Sequence, residues 1–267
     1  MKNKKLILLV IIFVIVIISV LIFNVLKSNR YSNDTIGSLA YNYTKNEEDV
    51  YLLEEGKYIP YIVLHNNYSN NSDTLLLRKN VIGNGEYYMG YNGSITIEKI
   101  YKSHLQMSNV EDYEESAVDN FLLNDFPQKF DQNFLNIVNN TKLSFSLINN
   151  GNYNNYEINR QFFILSFLEL NTTDVWQNKS SNKTVLKYFE DDSKRVAQND
   201  AGITVVYWTR THAWSGFGAI GLNGSIITQT SSQAKYGIRP ALTINSNTKI
   251  KQIYSEEHNK DIWILDI

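Results

Sequence analysis

The chain has 267 residues, with 25 Lys+Arg, 27 Asp+Glu, four His and no Cys, for a formal net charge of −2. The absence of Cys excludes a disulfide framework, a thiolate metal site and a catalytic thiol. The near-neutral balance argues against a nucleic-acid binder that works by phosphate neutralisation. The length suits one medium domain with accessory segments.

The N-terminus stands apart from the rest. Leu6 to Leu26 is apolar except for Ser19 and Asn24. About 21 residues at ~1.5 Å each span roughly 31 Å, close to a hydrocarbon core of about 30 Å. The run is longer than a signal-peptide core and lacks a small-residue cleavage site, which favours an uncleaved signal anchor over a cleaved peptide. Lys2, Lys4 and Lys5 precede the run, so the positive-inside rule puts residues 1–5 in the cytoplasm and the rest outside. The expected organisation is a cytoplasmic N-terminus over 1–5, a transmembrane helix over 6–26, a polar stalk over 27–49 and an exterior domain over 50–267, a single-pass cell-membrane protein. The first 30 residues hold five basic residues and no acid, which leaves 20 basic and 27 acidic residues beyond them, a net −7. Such a domain suits cations, neutral sugars or basic partners better than anionic polymers.

Beyond the stalk, 58–65 (YIPYIVLH) reads as a strand, with Pro60 marking an edge or a strand start. A second strand over 74–82 follows an Asn/Ser-rich turn, which predicts an antiparallel hairpin. The spacing then turns helical. Ser108 to Glu111 has the form of a capping box, and Tyr113, Ala117 and Phe121 recur on one helix face. Asp125-Phe126-Pro127 looks like a second helix start, and Phe126, Phe130 and Phe134 form a stripe that reads as core.

After Asn150-Gly151 the period returns to two. Strands are expected over 161–166, 205–210, 236–244 and 261–267, and Asn223-Gly224 signals a tight hairpin between 217–222 and 225–228. The polar stretch 171–200 carries Trp176 and reads as a long loop. The chain holds 34 Asn, many in pairs such as Asn66-Asn67 and Asn154-Asn155; these read as turns, because Asn tolerates left-handed backbone.

Four elements carry a resemblance. They are Ser116-x-x-Asp119-Asn120-Phe121-Leu122 leading into Phe126 and Phe130, Phe163-Ile164-Leu165-Ser166-x-x-Glu169, Trp208-Thr209-Arg210-Thr211, and Gly237-Ile238-Arg239-Pro240-Ala241-Leu242. Over roughly residues 51 to 244 the set resembles a bacterial domain family of unknown function with a W-x-R strand and a closing G-[IV]-R-P-A-L strand. That family is similar to C-type-lectin-like domains, including the formylglycine-generating-enzyme-like group. The resemblance implies an α+β fold: a twisted antiparallel sheet, two helices and long loops, with first and last strands together. It also implies a chain that stops soon after R-P-A-L, so 261–267 would extend or replace the closing strand. Formylglycine-generating chemistry needs a cysteine pair, and this chain has none.

Candidate site residues follow from charge and aromatic placement. Arg210 and Arg239 sit in apolar strands and Glu169 follows one, so a buried structural pair of Glu169 with one of these arginines is expected. Trp176, His212 and Trp214 are the candidate ligand surface, as aromatic and hydrogen-bonding groups in loop-like stretches. The four His lack metal spacing and no acidic cluster has calcium-loop spacing, so no metal, cofactor or catalytic residue is assigned. The calcium-dependent lectin signatures are absent too. The expected function is a non-enzymatic, membrane-anchored binding module for envelope, glycan or protein ligands, with no nucleic-acid partner. The alternative is an anchored envelope hydrolase with acid–base residues that spacing does not reveal.

Overall fold

The computed structural model describes residues 34–69, 72–83, 113–149, 152–172, 184–213, 216–228 and 236–267. Twelve strands dominate these residues. β1 (Asp49–Glu54) and β2 (Lys57–Asn66) form a hairpin around Glu55 and Gly56, whose φ values of 50° and 81° give the doubly left-handed turn that matches strand twist. β3 (Asp73–Arg78) pairs antiparallel with β2, and all six of its residues are buried. Pro60 lies inside β2 opposite Tyr51, although β2 has a neighbour on each side. Its carbonyl accepts from Lys79 N at 2.9 Å, so its amide side faces the point where β3 has already ended. The missing N–H therefore removes no ladder bond.

The closing motif supplies β10 (Ala241–Asn245), which pairs antiparallel with β3 on one side and β6 (Phe162–Phe163) on the other. β11 (Ile250–Ser255) and β12 (Lys260–Leu265) form a last hairpin, and β12 joins β1 in parallel. The seven-stranded sheet thus runs β11-β12-β1-β2-β3-β10-β6. The terminal stretch extends the sheet at the β1 edge rather than beside β10.

Two smaller sheets complete the body. β4 (Thr141–Asn149) and β5 (Asn152–Arg160) pair along their whole length. β7 (Tyr207–Ala213), β8 (Gly216–Ile220) and β9 (Ile226–Ile227) form the third sheet. The β8–β9 turn holds Gly224 at φ 79°, the left-handed position that Asn223-Gly224 marks.

The helices are short. α1 is Tyr41–Thr44, α2 is Ala117–Asn124 and α3 is Gln132–Ile137. Ser116 caps α2 by accepting from Asp119 N, and Asp131 caps α3 through Phe134 N. The capping box at Ser108 lies outside the described residues. Between α2 and α3 the Phe126–Lys129 stretch is a 3-10 turn, with Pro127 in its first turn. Phe126 and Phe130 pack on Phe162 with ring centroids at 5.1 and 5.4 Å, and Phe134 stacks on Phe130 at 4.6 Å. This aromatic layer covers the two-residue edge strand β6.

Three expectations need correction. The α+β, C-type-lectin-like class gives way to a mostly β fold with few helices. The physical reason lies in two segments. The four-residue spacing over 126–138 yields one 3-10 turn and one six-residue helix, and the Asn-rich stretch 141–160 is a regular hairpin. The expected transmembrane helix over 6–26 and the cytoplasmic residues 1–5 lie outside the described residues. Among the described residues no helix is long and apolar enough to cross a membrane. The longest, α2, has eight residues, about 12 Å against a core of about 30 Å. The transmembrane, signal-anchor and single-pass cell-membrane readings therefore have no support in the structure. Finally, the stalk assignment for 27–49 does not hold over 34–49. Ile36 and Ala40 are fully buried, Ile36 N donates to Thr248 O at 2.9 Å, and Asp49 begins β1.

Candidate functional site

A buried guanidinium must be answered by an acceptor, because an unpaired charge in a low-dielectric interior costs several kcal/mol. The fold answers three arginines with buried carboxylates, and a fourth, Arg195, with the exposed Asp192. Arg210 on β7 donates to Glu169 through Nη1 at 2.5 Å and Nη2 at 2.7 Å, and both side chains are essentially unexposed. Ser166 N and Oγ also donate to Glu169, at 2.6 and 2.9 Å, and the Tyr68 hydroxyl closes the set. Arg78 at the end of β3 meets Glu54 through Nε at 2.9 Å and reaches Asp200 at 3.1 Å, while Tyr61 donates to Glu54 at 2.5 Å. Arg160 at the end of β5 holds Asp119 through Nε at 2.9 Å and Nη2 at 2.8 Å. Arg78–Glu54 joins two strands of the main sheet, Arg160–Asp119 ties β5 to α2, and Arg210–Glu169 ties β7 to the turn after β6.

Arg239 differs. It is 4% exposed, its Nε donates to Arg78 O at 3.1 Å, and its guanidinium carbon lies 5.6 Å from the Tyr207 ring centre. Its Nη1 has no protein acceptor. Glu169 thus pairs with Arg210 and not with Arg239. Arg239 acts electrostatically on Tyr188, which belongs to a mixed-charge cluster. The Tyr188 hydroxyl donates to Glu47 at 2.9 Å; Lys194 and Lys79 reach Glu47 at 2.8 and 2.9 Å; Lys79 also holds Asp49 at 2.7 Å. Burial alone would raise the Glu47 carboxyl, but hydrogen bonds from Lys194, Lys79 and Tyr188 hold it down to about 2. Burial pushes the Tyr188 hydroxyl up, with Glu47 adding to the rise and the charge of Arg239 opposing it. Burial likewise raises Tyr207, against the pull of Arg239 and Arg195.

Among the described residues, seven buried side-chain atoms have no protein hydrogen-bond partner. Four of them are nitrogen donors: Arg195 Nε, Trp208 Nε1, Arg210 Nε and Arg239 Nη1. Trp208 is buried at 2% exposure and packs on Tyr236 at 4.7 Å. Arg195 and Arg239 both act electrostatically on Tyr207.

The residues singled out from sequence fall apart spatially or out of view. Trp176 and Trp214 lie outside the described residues. His212 lies on β7, opposite Phe217 of β8. Sequence reasoning missed Arg78–Glu54 and Arg160–Asp119, although Arg78 carries the signal used for Arg210, a cation closing an apolar strand run. It missed Glu47, Lys79, Lys194 and Tyr188 altogether; Glu47 sits in a polar stretch with no local signal. No group of three or more metal-ligating side chains occurs among the described residues.

Residues 71–246 fit a family model described as a domain of unknown function (DUF6273). That stretch runs from the β2–β3 turn to the end of β10 and contains Glu169, Arg210 and Arg239. No curated protein and no solved structure matches the chain, so the C-type-lectin likeness gains no support from them. The match spans more than half of the chain, which therefore belongs to the DUF6273 family of unknown function.

Proposed function

We propose that the chain is a non-enzymatic binding module for a glycan or protein ligand. The observation that carries this reading is an asymmetry in its buried polar groups. The carboxylates Glu54, Asp119 and Glu169 are each bound by an arginine and Asp49 by Lys79, whereas four of the seven unanswered buried atoms are N–H donors; the others are Asp49 Oδ1, His65 Nδ1 and the Tyr113 hydroxyl. Acid–base catalysis calls for a carboxyl or imidazole free to exchange a proton with substrate. Unanswered donors instead suit a ligand that brings acceptors, since each hydrogen bond to a buried donor removes a desolvation cost already incurred.

The test is incubation of the full chain with glycan arrays and with peptide libraries, followed by both retention and product analysis. Retention of a defined glycan or peptide without change in its mass supports the module. Release of cleaved product, in proportion to added chain, overturns it in favour of a hydrolase.

A further inference from the structure

We propose that the exposed face of the last hairpin is a docking surface for an arginine side chain of a protein partner, an inference that rests on the binding-module reading and commits it to a protein ligand. Residues directly opposite in an antiparallel pair share a face, and every second residue returns to it. Ile250, Gln252 and Tyr254 of β11 therefore share one face with Leu265, Trp263 and Asp261 of β12. Ile250 and Leu265 are buried at one end of this face, Trp263 packs partly on the core, and Tyr254 and Asp261 stand exposed at the other end. The hairpin thus overhangs the core. Tyr254 is 61% exposed, yet its hydroxyl donates to Asn259 Oδ1 at 2.6 Å, which holds the ring in place.

Charge is segregated between the two faces of the hairpin. By the same alternation, Lys251 and Lys260 fall on the opposite face, where Lys251 pairs with Asp266 and Lys260 lies over the Tyr51 ring at 5.3 Å. His258 in the turn is held on that side too, with Nε2 2.9 Å from Tyr58 O and its ring 4.7 Å from Tyr51. Lys249 lies at the far end of β11, where Thr35 bridges to it, roughly 16 Å from Tyr254 at about 3.3 Å per residue. The next strand, β1, holds no Lys or Arg. Asp261 enters no ion pair among the described residues, and Glu256 and Glu257 follow in the exposed turn. Such a face repels an anion, and a neutral sugar leaves its charge unused. A cation uses both exposed groups. Direct cross-strand neighbours have Cβ atoms about 4.5–5.5 Å apart, so a planar guanidinium stacked on the Tyr254 ring can turn an N–H edge to the Asp261 carboxylate. An ammonium is a point charge without that edge. The net −7 beyond residue 30 adds long-range attraction for a basic partner.

NMR titration of the full chain with the blocked peptide acetyl-Gly-Arg-Gly-amide tests this. Counterparts carry lysine or the neutral isostere citrulline in place of arginine. Saturable shifts of the Tyr254 and Asp261 amides are expected with the arginine peptide, with the citrulline peptide weaker by about fivefold and the lysine peptide between the two. Tyr254→Ser and Asp261→Asn should each weaken binding by about two- to fivefold. Both positions are exposed, so circular dichroism should stay native in both variants. Tyr254→Phe keeps the ring and should bind like the native chain, and Asp266→Asn on the opposite face should leave the affinity unchanged. Absence of saturable binding, equal binding of the citrulline or lysine peptide, or undiminished affinity in Tyr254→Ser or Asp261→Asn would overturn the surface. So would a retained glycan that Tyr254→Ser weakens and Asp261→Asn does not, which would give the ring to a sugar. A ligand retained by the chain and indifferent to both variants would overturn this surface and leave the binding module standing, whereas cleaved product, read separately by mass, would overturn the module itself.

Discussion

Glu169 accepts hydrogen bonds from the Arg210 guanidinium, from Ser166 and from Tyr68, with no exposure to water. Replacing it by Gln removes the charge and leaves Arg210 buried and unneutralised. Breaking one side of a buried pair costs about 3–5 kcal/mol, a large share of a typical total of about 5–15. Urea denaturation should therefore show a much lower midpoint for Glu169→Gln. The contrasting pair is Lys251–Asp266 on the surface, where both side chains are about half exposed. Asp266→Asn should cost less than about 1 kcal/mol, because an exposed pair is screened and its side chains lose entropy in meeting. An equal shift for both variants would contradict a structural role for Glu169. Part of this was legible in the sequence: a cation inside an apolar strand and a carboxylate after one each require a partner. Which arginine meets Glu169 was not legible. Arg210 and Arg239 carry the same local signal; Arg210 lies on β7, whereas Arg239 precedes β10 and is held by Arg78 O.

At the scale of elements, the closing motif has a packing explanation in Gly237. Its N–H donates to Val206 O at 2.8 Å and its carbonyl accepts from Trp208 N at 2.9 Å. A Cβ placed there would lie 2.1 Å from Val81 Cγ1 and 3.2 Å from Ile82 O. The glycine thus lets the chain between β9 and β10 run between the start of β7 and the segment after β3. Gly237→Ala should overpack this junction at about 1–3 kcal/mol, and thermal melting should fall by about 2–4 °C per kcal/mol for a domain of this size. Glu47 joins other elements, linking the approach to β1 to Tyr188 and Lys194 in the helical turns beyond the loop. Its carboxyl lies at about 2 in the folded chain against 4.5 for the free group. A folded-state value below the unfolded one stabilises fully above pH 4.5 and is lost as pH falls toward 2. Denaturant midpoints measured from pH 6 to pH 2 should fall for the native chain, and Glu47→Gln should flatten that fall. Strands with strong apolar runs, such as β2 and β3, were readable from the sequence, as was the Asn223-Gly224 turn. β4 and β5 were hidden because Asn and Ser fill them, although Leu143 and Phe145 do alternate with Lys142 and Ser144. Residues 34–49 were hidden because three buried residues, Ile36, Gly37 and Ala40, suffice to dock a polar segment.

The whole molecule extends past the stretch that the family model covers. Residues 71–246 contain β3, β10 and β6 of the main sheet, yet β2 pairs along β3, β1 along β2 and β12 along β1. Four of the seven strands of one sheet, β1, β2, β11 and β12, are thus supplied by chain on either side of the matched region. Removing residues 247–267 would strip β11 and β12 and leave β1 as a bare edge. It would also break the bonds from Ile36 N to Thr248 O and from Ile250 N to Asp34 O that hold the first turn in place. Ile250, Ile262 and Leu265 are nearly fully buried, and burial of each such side chain contributes about 1.5–3 kcal/mol. Their sum alone is comparable to the stability of an average domain. A chain ending at residue 246 should therefore lose its cooperative urea transition, whereas the full chain should unfold in one step. If the shortened chain unfolds with an unchanged midpoint and slope, the main sheet is not one cooperative unit, and the strands outside the matched region are appendages to a smaller fold.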